Sequence, residues 1–159
     1  MSPAIAIEGL SKTYRRVWMT PPLTALRNLS LTVMAGEVFG FIGPNGAGKS
    51  TTIKLLTGVL QPTQGSAALF GKEVSLPEAR RGLGYVPENP SLYDFLTPLE
   101  ILSMGLAMHG VKPANPRRHC LHWLERFSLA QVATKRVRSF SKGMTQRVAL
   151  AHAMAIEPR

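Results

Sequence analysis

The spacing of apolar and polar residues changes near residue 90. Before that point apolar residues come in short runs or in alternation, the spacing of strands; after it they recur every three or four positions, the spacing of helices. Ala4–Ile7 predicts a short strand, and Leu29–Val33 predicts another, with Leu29, Leu31 and Val33 alternating against polar neighbours. Between them Arg15–Thr24, with Pro21 and Pro22, predicts a loop or wide hairpin connection. Val38-Phe39-Gly40-Phe41-Ile42 is apolar throughout and too short for a buried helix, so it predicts a buried strand. A helix is expected to start over Ser50–Leu56, and Ser66–Phe70 and Leu83–Val86, bounded by glycine or proline, predict two further strands.

Beyond residue 90 the helix signals are explicit. Thr97-Pro98-Leu99-Glu100 supplies an N-cap, a proline at the first helical position and a capping-box glutamate. Leu99, Leu102 and Leu106 then share one face. Asn115-Pro116 opens a second helix with Cys120, Leu124 and Phe127 on its apolar side, and a third is expected from about Ser141 to Ala155. The predicted organisation is an α/β core formed by residues 1–90 with the 141–159 helix, and a helical subdomain over 91–140. No repeat or low-complexity tract interrupts it.

Composition narrows this picture without redirecting it. A chain of 159 residues that is 45% hydrophobic suits one domain with a real core. One cysteine, Cys120, excludes a disulfide framework, fits a reducing compartment and reads as core filler. Met1–Leu10 has no basic leader, Glu8 interrupts it, and no apolar run reaches the length of a membrane span, so a soluble chain is expected. The net charge of +10 arises from scattered pairs, Arg15-Arg16, Arg80-Arg81, Arg117-Arg118 and Lys135-Arg136. No aromatic stripe accompanies them, as stacking on single strands requires. Nucleic acid is therefore set aside in favour of a solvated face or one near anionic lipid headgroups. His119-Cys120-Leu121-His122 has a metal-like look but no second ligand pair. Met104 and Met108 read as helix packing, and Trp123 as either core or partner-facing.

The chemistry concentrates in Gly43-Pro44-Asn45-Gly46-Ala47-Gly48-Lys49-Ser50, followed by Thr51. This is a complete G-x-x-x-x-G-K-[ST], placed between a predicted strand and a predicted helix as the motif requires. Glycines let backbone N–H groups turn inward around a phosphate, where a Cβ would obstruct them. The helix behind presents its N-terminal donors and positive dipole end to the same place. Lys49 offers a charge for the β- and γ-phosphates, and Ser50 a hydroxyl for Mg²⁺. Composition alone yields such a match about once in several hundred chains of this size. ATP with Mg²⁺ is the expected ligand.

Read in full as G-P-N-G-A-G-K-S-T-T, the loop brings the chain to a family: it resembles the ATP-binding subunit of ABC transporters over essentially its whole length. Gly58, Pro62, Gly65 and Gly71 follow in the spacing typical of these domains. Gly84-Tyr85-Val86-Pro87-Glu88 is similar to the Q-loop, and Phe140-Ser141-Lys142-Gly143-Met144-Thr145-Gln146-Arg147 to the signature motif. Ser141 follows Lys49 by 92 residues (141 minus 49), room for a small helical subdomain only. Glu88 stands where the family's common residue is glutamine, and F-S-K-G-M replaces the common L-S-G-G-Q. Both variants resemble the branch that drives ABC-2-type exporters.

The resemblance implies a P-loop NTPase fold and a head-to-tail dimer with ATP held between two copies. One copy's Gly43–Thr51 loop and the other's Ser141, Lys142, Gly143 and Met144 would face the same nucleotide. It also implies Mg²⁺ near Ser50 and Glu88, an adenine stacked on Tyr14, an integral membrane permease as partner, and a place on the cytoplasmic face of the cell membrane. Tyr14 also admits a plainer reading, a strand-end tyrosine packed on the core. The family's Mg²⁺-supporting aspartate and general-base glutamate lie on a strand expected beyond Arg159. On that expectation the chain is a C-terminally truncated ABC ATPase domain that binds ATP without efficient turnover. A soluble ABC-type ATPase acting on nucleic acid or ribosomes, and a short product that binds nucleotide without hydrolysis, are the alternative readings.

Overall fold

A computed structural model describes residues 2–15 and 21–159. They form two units, Met1–Arg80 and Arg81–Arg159. The first is built on a long hairpin of β1 (Pro3–Tyr14) and β2 (Leu23–Met34), extended by β3 (Gln64–Leu69) and the short β4 (Lys72–Glu73) in the order β2-β1-β3-β4. All three ladders are antiparallel, and α1 (Lys49–Leu56) packs against β2 and β3. Ile7, Leu10, Leu26, Ala67 and Leu69 are buried in the sheet, and Leu55 and Leu56 on the helix.

The hairpin strands run longer than the alternation predicts, because bulges reset which face each residue occupies. Between Ile7↔Leu31 and Leu10↔Leu29 the register shifts. Gly9 sits there at φ +58 and Asn28 at φ +48. Side chains take up the freed amides: Gly9 N–H donates to Ser30 Oγ at 3.0 Å and Asn28 N–H to Ser11 Oγ at 2.9 Å. A Cβ at Gly65 would collide with the Gly9 carbonyl of the neighbouring strand. Of the predicted 15–24 connection, residues 16–20, including Arg16, lie outside the described residues, while Leu23 and Thr24 belong to β2.

Two predicted strands do not form. Residues 38–42 and 83–86 carry no strand, and Val38 and Ile42 are 100% and 91% exposed. A strand exists only where a neighbour takes its backbone hydrogen bonds. Among the described residues β1–β4 pair with one another, and none pairs with either run. The expectation of a buried strand at 38–42 is thus corrected: apolar character could not supply the partner, and the run lies in solvent.

In the second unit the helices stand where their caps place them. α2 (Pro98–His109) begins with the full capping box: Thr97 Oγ1 accepts from Glu100 N–H at 3.3 Å, and Thr97 N–H donates to Glu100 Oε2 at 2.8 Å. The Thr97 N–H and the Thr97 hydroxyl, both donating to Glu100 Oε2 at 2.8 Å, hold the Glu100 carboxyl below its usual value. Gly110, left-handed at φ +69, ends the helix. α3 (Pro116–Arg126) is capped by Asn115, and α4 (Lys142–Ala155) by Ser141. Ile101, Leu102, Leu106, Cys120, Leu124, Val148, Ala151 and Ala155 join Leu129, Ala133 and Val137 in one buried core. Leu99, Phe127 and Trp123 pack half-buried at its edge. Gly105 lets α2 approach α4 closely, since a Cβ there would meet the His152 ring.

Candidate functional site

The loop from Gly43 to Thr51 is shaped by three local requirements. Ala47 N–H closes a turn on the Pro44 carbonyl at 3.2 Å. Gly46 completes it at φ +85, a conformation that side chains other than glycine rarely adopt, with open space where a Cβ would sit. Gly48, at φ +88, is the N-cap of α1, and a Cβ on it would stand 2.7 Å from the Ala25 carbonyl oxygen of β2. Backbone conformation and steric contact thus both demand glycine at 48. The contact with β2 is a long-range fact that the motif alone does not contain.

At the helix start Gly48 contributes no side-chain cap, and no acidic residue occupies the first turn. The leading amides of α1 therefore remain available donors at the positive end of the helix. Lys49 Nζ reaches back across the loop, donating to the Gly43 carbonyl at 2.6 Å and the Pro44 carbonyl at 2.8 Å. Two of the ammonium's three N–H groups are engaged and one is left to point elsewhere. Ser50 is exposed at the second helical position, with Thr51 half-buried beside it. Thr52, which sequence reasoning passed over, is buried, and its Oγ1 donates to the Gly48 carbonyl at 3.0 Å. It locks the first turn to the loop. Its signal was only a hydroxyl four residues past Gly48.

Pro44, Asn45, Gly46 and Ala47 are exposed, so the concave side of the loop is accessible. Amide donors without competing side chains, one lysine ammonium and a free hydroxyl together suit a phosphate chain with a divalent cation. The glycine positions and the acid-free first turn fit ATP-Mg²⁺ on the chemistry of the donor set.

The other predicted site residues occupy separate settings. Tyr14 ends β1, half-buried and paired with Leu23, with Lys12 Nζ 5.4 Å from its ring centroid. No hydrogen bond or ring contact among the described residues joins it to the 43–51 loop. In the second unit Ser141 Oγ accepts from Met144 N–H at 3.3 Å. Lys142 and Gly143 are exposed, and a Cβ on Gly143 would meet nothing within 4 Å. The N-terminal turn of α4 is therefore open to a docking group. Glu88 is an exposed carboxylate with no ion pair among the described residues. His119 Nε2 lies 2.8 Å from the Ala155 carbonyl, its role in the fold. Burial pushes the Cys120 thiol up, away from nucleophilic reactivity.

Comparison with solved structures shows a P-loop NTPase of the ABC ATPase type. One neighbour, described as an ATP-binding subunit of an ABC transporter, superposes with TM-score 0.84 at 32% identity, over 98% of this chain and 63% of that one. Another is a dimeric post-hydrolysis state of an ATP-binding cassette with ADP and Pi, at TM-score 0.86 and 27% identity, over 97% of this chain and 70% of that one. Residues 26–159 match the family described as ABC transporter, and the chain belongs to that family. An uncharacterized ABC transporter ATP-binding protein of Nostoc is 38% identical over 99% of this chain and 48% of its own length. The spermidine/putrescine import ATP-binding protein of Thermobifida fusca is 37% identical over 98% of this chain and 40% of its own. The chain spans about half the length of these relatives or less.

Proposed function

We propose that this chain is the nucleotide-holding part of an ATP-binding subunit that powers transport across a membrane. The observation that carries the reading is the loop itself: an acid-free helix start, glycine where β2 leaves no room for a Cβ, and Lys49 held at the loop mouth. On this reading the triphosphate lies along the loop amides, and Lys49 exchanges its bonds to Gly43 and Pro44 for the β- and γ-phosphates. That ammonium balances charge where the γ-phosphoryl group leaves. Ser50 would hold Mg²⁺ with its hydroxyl, Glu88 would approach the same cation, and Tyr14 would stack on the adenine. When bound, the cation neutralises phosphate oxygens.

Ser141–Met144 of a second copy would supply the remaining γ-phosphate contacts, through the open N-terminal turn of α4. The solved neighbour in a dimeric, ADP- and Pi-bound state supports that arrangement. The 141–159 helix would belong with the nucleotide-binding core and 91–140 with the helical subdomain; exposed Leu150 and Met154 give α4 an apolar face for such a role. Hydrolysis needs a base for the attacking water, and we place it outside these 159 residues, so this chain alone turns ATP over poorly. The export direction rests on F-S-K-G-M and Glu88, since relatives include proteins named for spermidine/putrescine and molybdate/tungstate import. The family resemblance points to an integral membrane permease as partner and the cytoplasmic face of the membrane as place; no described helix is long and apolar enough to cross a membrane.

Lys49→Ala removes a charge-assisted contact of roughly 1.5–3 kcal/mol. Binding of a fluorescent ATP analogue should weaken about 10- to 100-fold. Unchanged affinity would overturn the assignment.

A further inference from the structure

The fold treats the basic pairs of the sequence differently. In Arg80-Arg81, Arg80 Nη1 donates to the Val74 carbonyl at 2.9 Å, a structural task. In Lys135-Arg136, Arg136 acts electrostatically on Glu100. Arg117 and Arg118 have no such employment. Both are exposed on the first turn of α3, and no ion pair engages either among the described residues.

They line a shallow groove instead. Two adjoining depressions, of about 400 and 350 Å³, share Asn115, Arg118 and His122; Arg117 and Glu125 line the first. Asn115 Oδ1 is spent on the Arg118 amide at 3.0 Å, so it caps the helix and leaves the guanidinium groups as the groove's cationic donors. On another flank of the helix the half-buried Trp123 packs its ring against the helical core and carries Arg126 5.8 Å from its centroid. Aliphatic arginine stems below charged heads suit the boundary between headgroups and acyl chains. Lys112, exposed in the preceding loop, adds to the positive field.

We infer that this face of α3 is a contact surface for anionic phospholipid headgroups, with Arg117 and Arg118 as the phosphate-binding pair. Guanidinium groups receive phosphate oxygens two at a time, so the adjacent pair suits a phosphate-bearing headgroup. Duplex or single-stranded nucleic acid fits less well, because the groove presents no Phe, Tyr or Trp ring for bases, His122 being its one exposed ring, and spans only about two helical turns. The inference rests on the proposed role at a membrane for its setting but not for its chemistry. Glu125, the one acidic residue in the groove, should weaken the contact.

Co-sedimentation of the full 159-residue chain with mixed phosphatidylcholine–phosphatidylglycerol vesicles tests this against pure phosphatidylcholine vesicles, which report adsorption through apolar surface. Each arginine should contribute about fivefold to the anionic-vesicle partition, so R117Q/R118Q should lower it about 25-fold. Glu125→Gln should raise it. Circular dichroism checks that the variants keep their helices, and glutamine retains part of each aliphatic stem. Equal binding to both vesicle types, or no change in either variant, overturns the inference. So does inorganic phosphate or a DNA duplex bound in solution through the same two arginines while anionic vesicles are ignored. ATP-analogue binding measured on the same samples separates this from the nucleotide reading: R117Q/R118Q should leave it unchanged, whereas Lys49→Ala should weaken it about 10- to 100-fold and spare the vesicles.

Discussion

The two units of the chain differ in how complete they are as folded bodies. Residues 81–159 enclose a core of side chains from α2, α3, α4 and the turns between them, and Leu102, Cys120, Leu124, Leu129, Val148 and Ala151 are fully buried. Each of the three helices also carries its own cap. Residues 1–80 bury the β1–β3 face against α1, yet leave Val38 and Ile42 in solvent on the segment that feeds the Gly43–Thr51 loop. A helix satisfies its backbone from within and needs only one face covered, whereas a strand needs a neighbour before it exists. The functional loop is thus carried on the less self-sufficient of the two.

That contrast is open to attack, most severely at Leu124. Leu124→Ala should cost about 2–5 kcal/mol of stability by emptying the centre of the helical core. Chemical denaturation read by circular dichroism measures it, and a loss under about 1 kcal/mol would mean that the helices do not share one tight core.

Acid should act on the same unit. His152 on α4 is held below its ordinary value, first by burial and then by the nearby His109 on α2. Gly105 packs directly against its ring. The folded state therefore binds the proton less readily than the unfolded chain. Stability is complete above the unfolded value near 6.5 and falls as pH drops from there toward the lower folded value. Melting temperatures across that window, compared with those of His152→Gln, should show a slope in the parent that the variant loses. Parallel slopes would relocate the sensitivity to another group.

The smallest expected effect lies in the exposed run. Ile42→Asp should change stability by no more than about 0.5 kcal/mol, as a surface substitution does, while reducing self-association of the isolated chain. A loss of several kcal/mol would show that residues 38–42 are buried in solution and that the contrast between the units is false.

Much of the second unit was legible before any coordinates, because its signals are short-range. Thr97 with Glu100, Asn115 before Pro116 and Ser141 each start a helix within one turn of themselves, and the apolar faces follow from a spacing of three and four. The shape of the Gly43–Thr51 loop was legible for the same reason: its turn, its glycines and its lysine act within nine residues. What escaped involves residues far apart in the chain. Nothing around Gly9 announces that β1 continues through a bulge to Tyr14, since the amides released there go to Ser30 and Ser11 across the hairpin. Nothing around Gly48 shows that the Ala25 carbonyl closes off its Cβ, and nothing in Val38–Ile42 shows whether a partner strand is at hand. By itself the sequence determined the helices, the loop and the chemistry that the loop offers. Tertiary structure decided which apolar runs became strands, which arginines stayed unpaired and how the glycines are enforced, because each depends on what a distant segment places alongside.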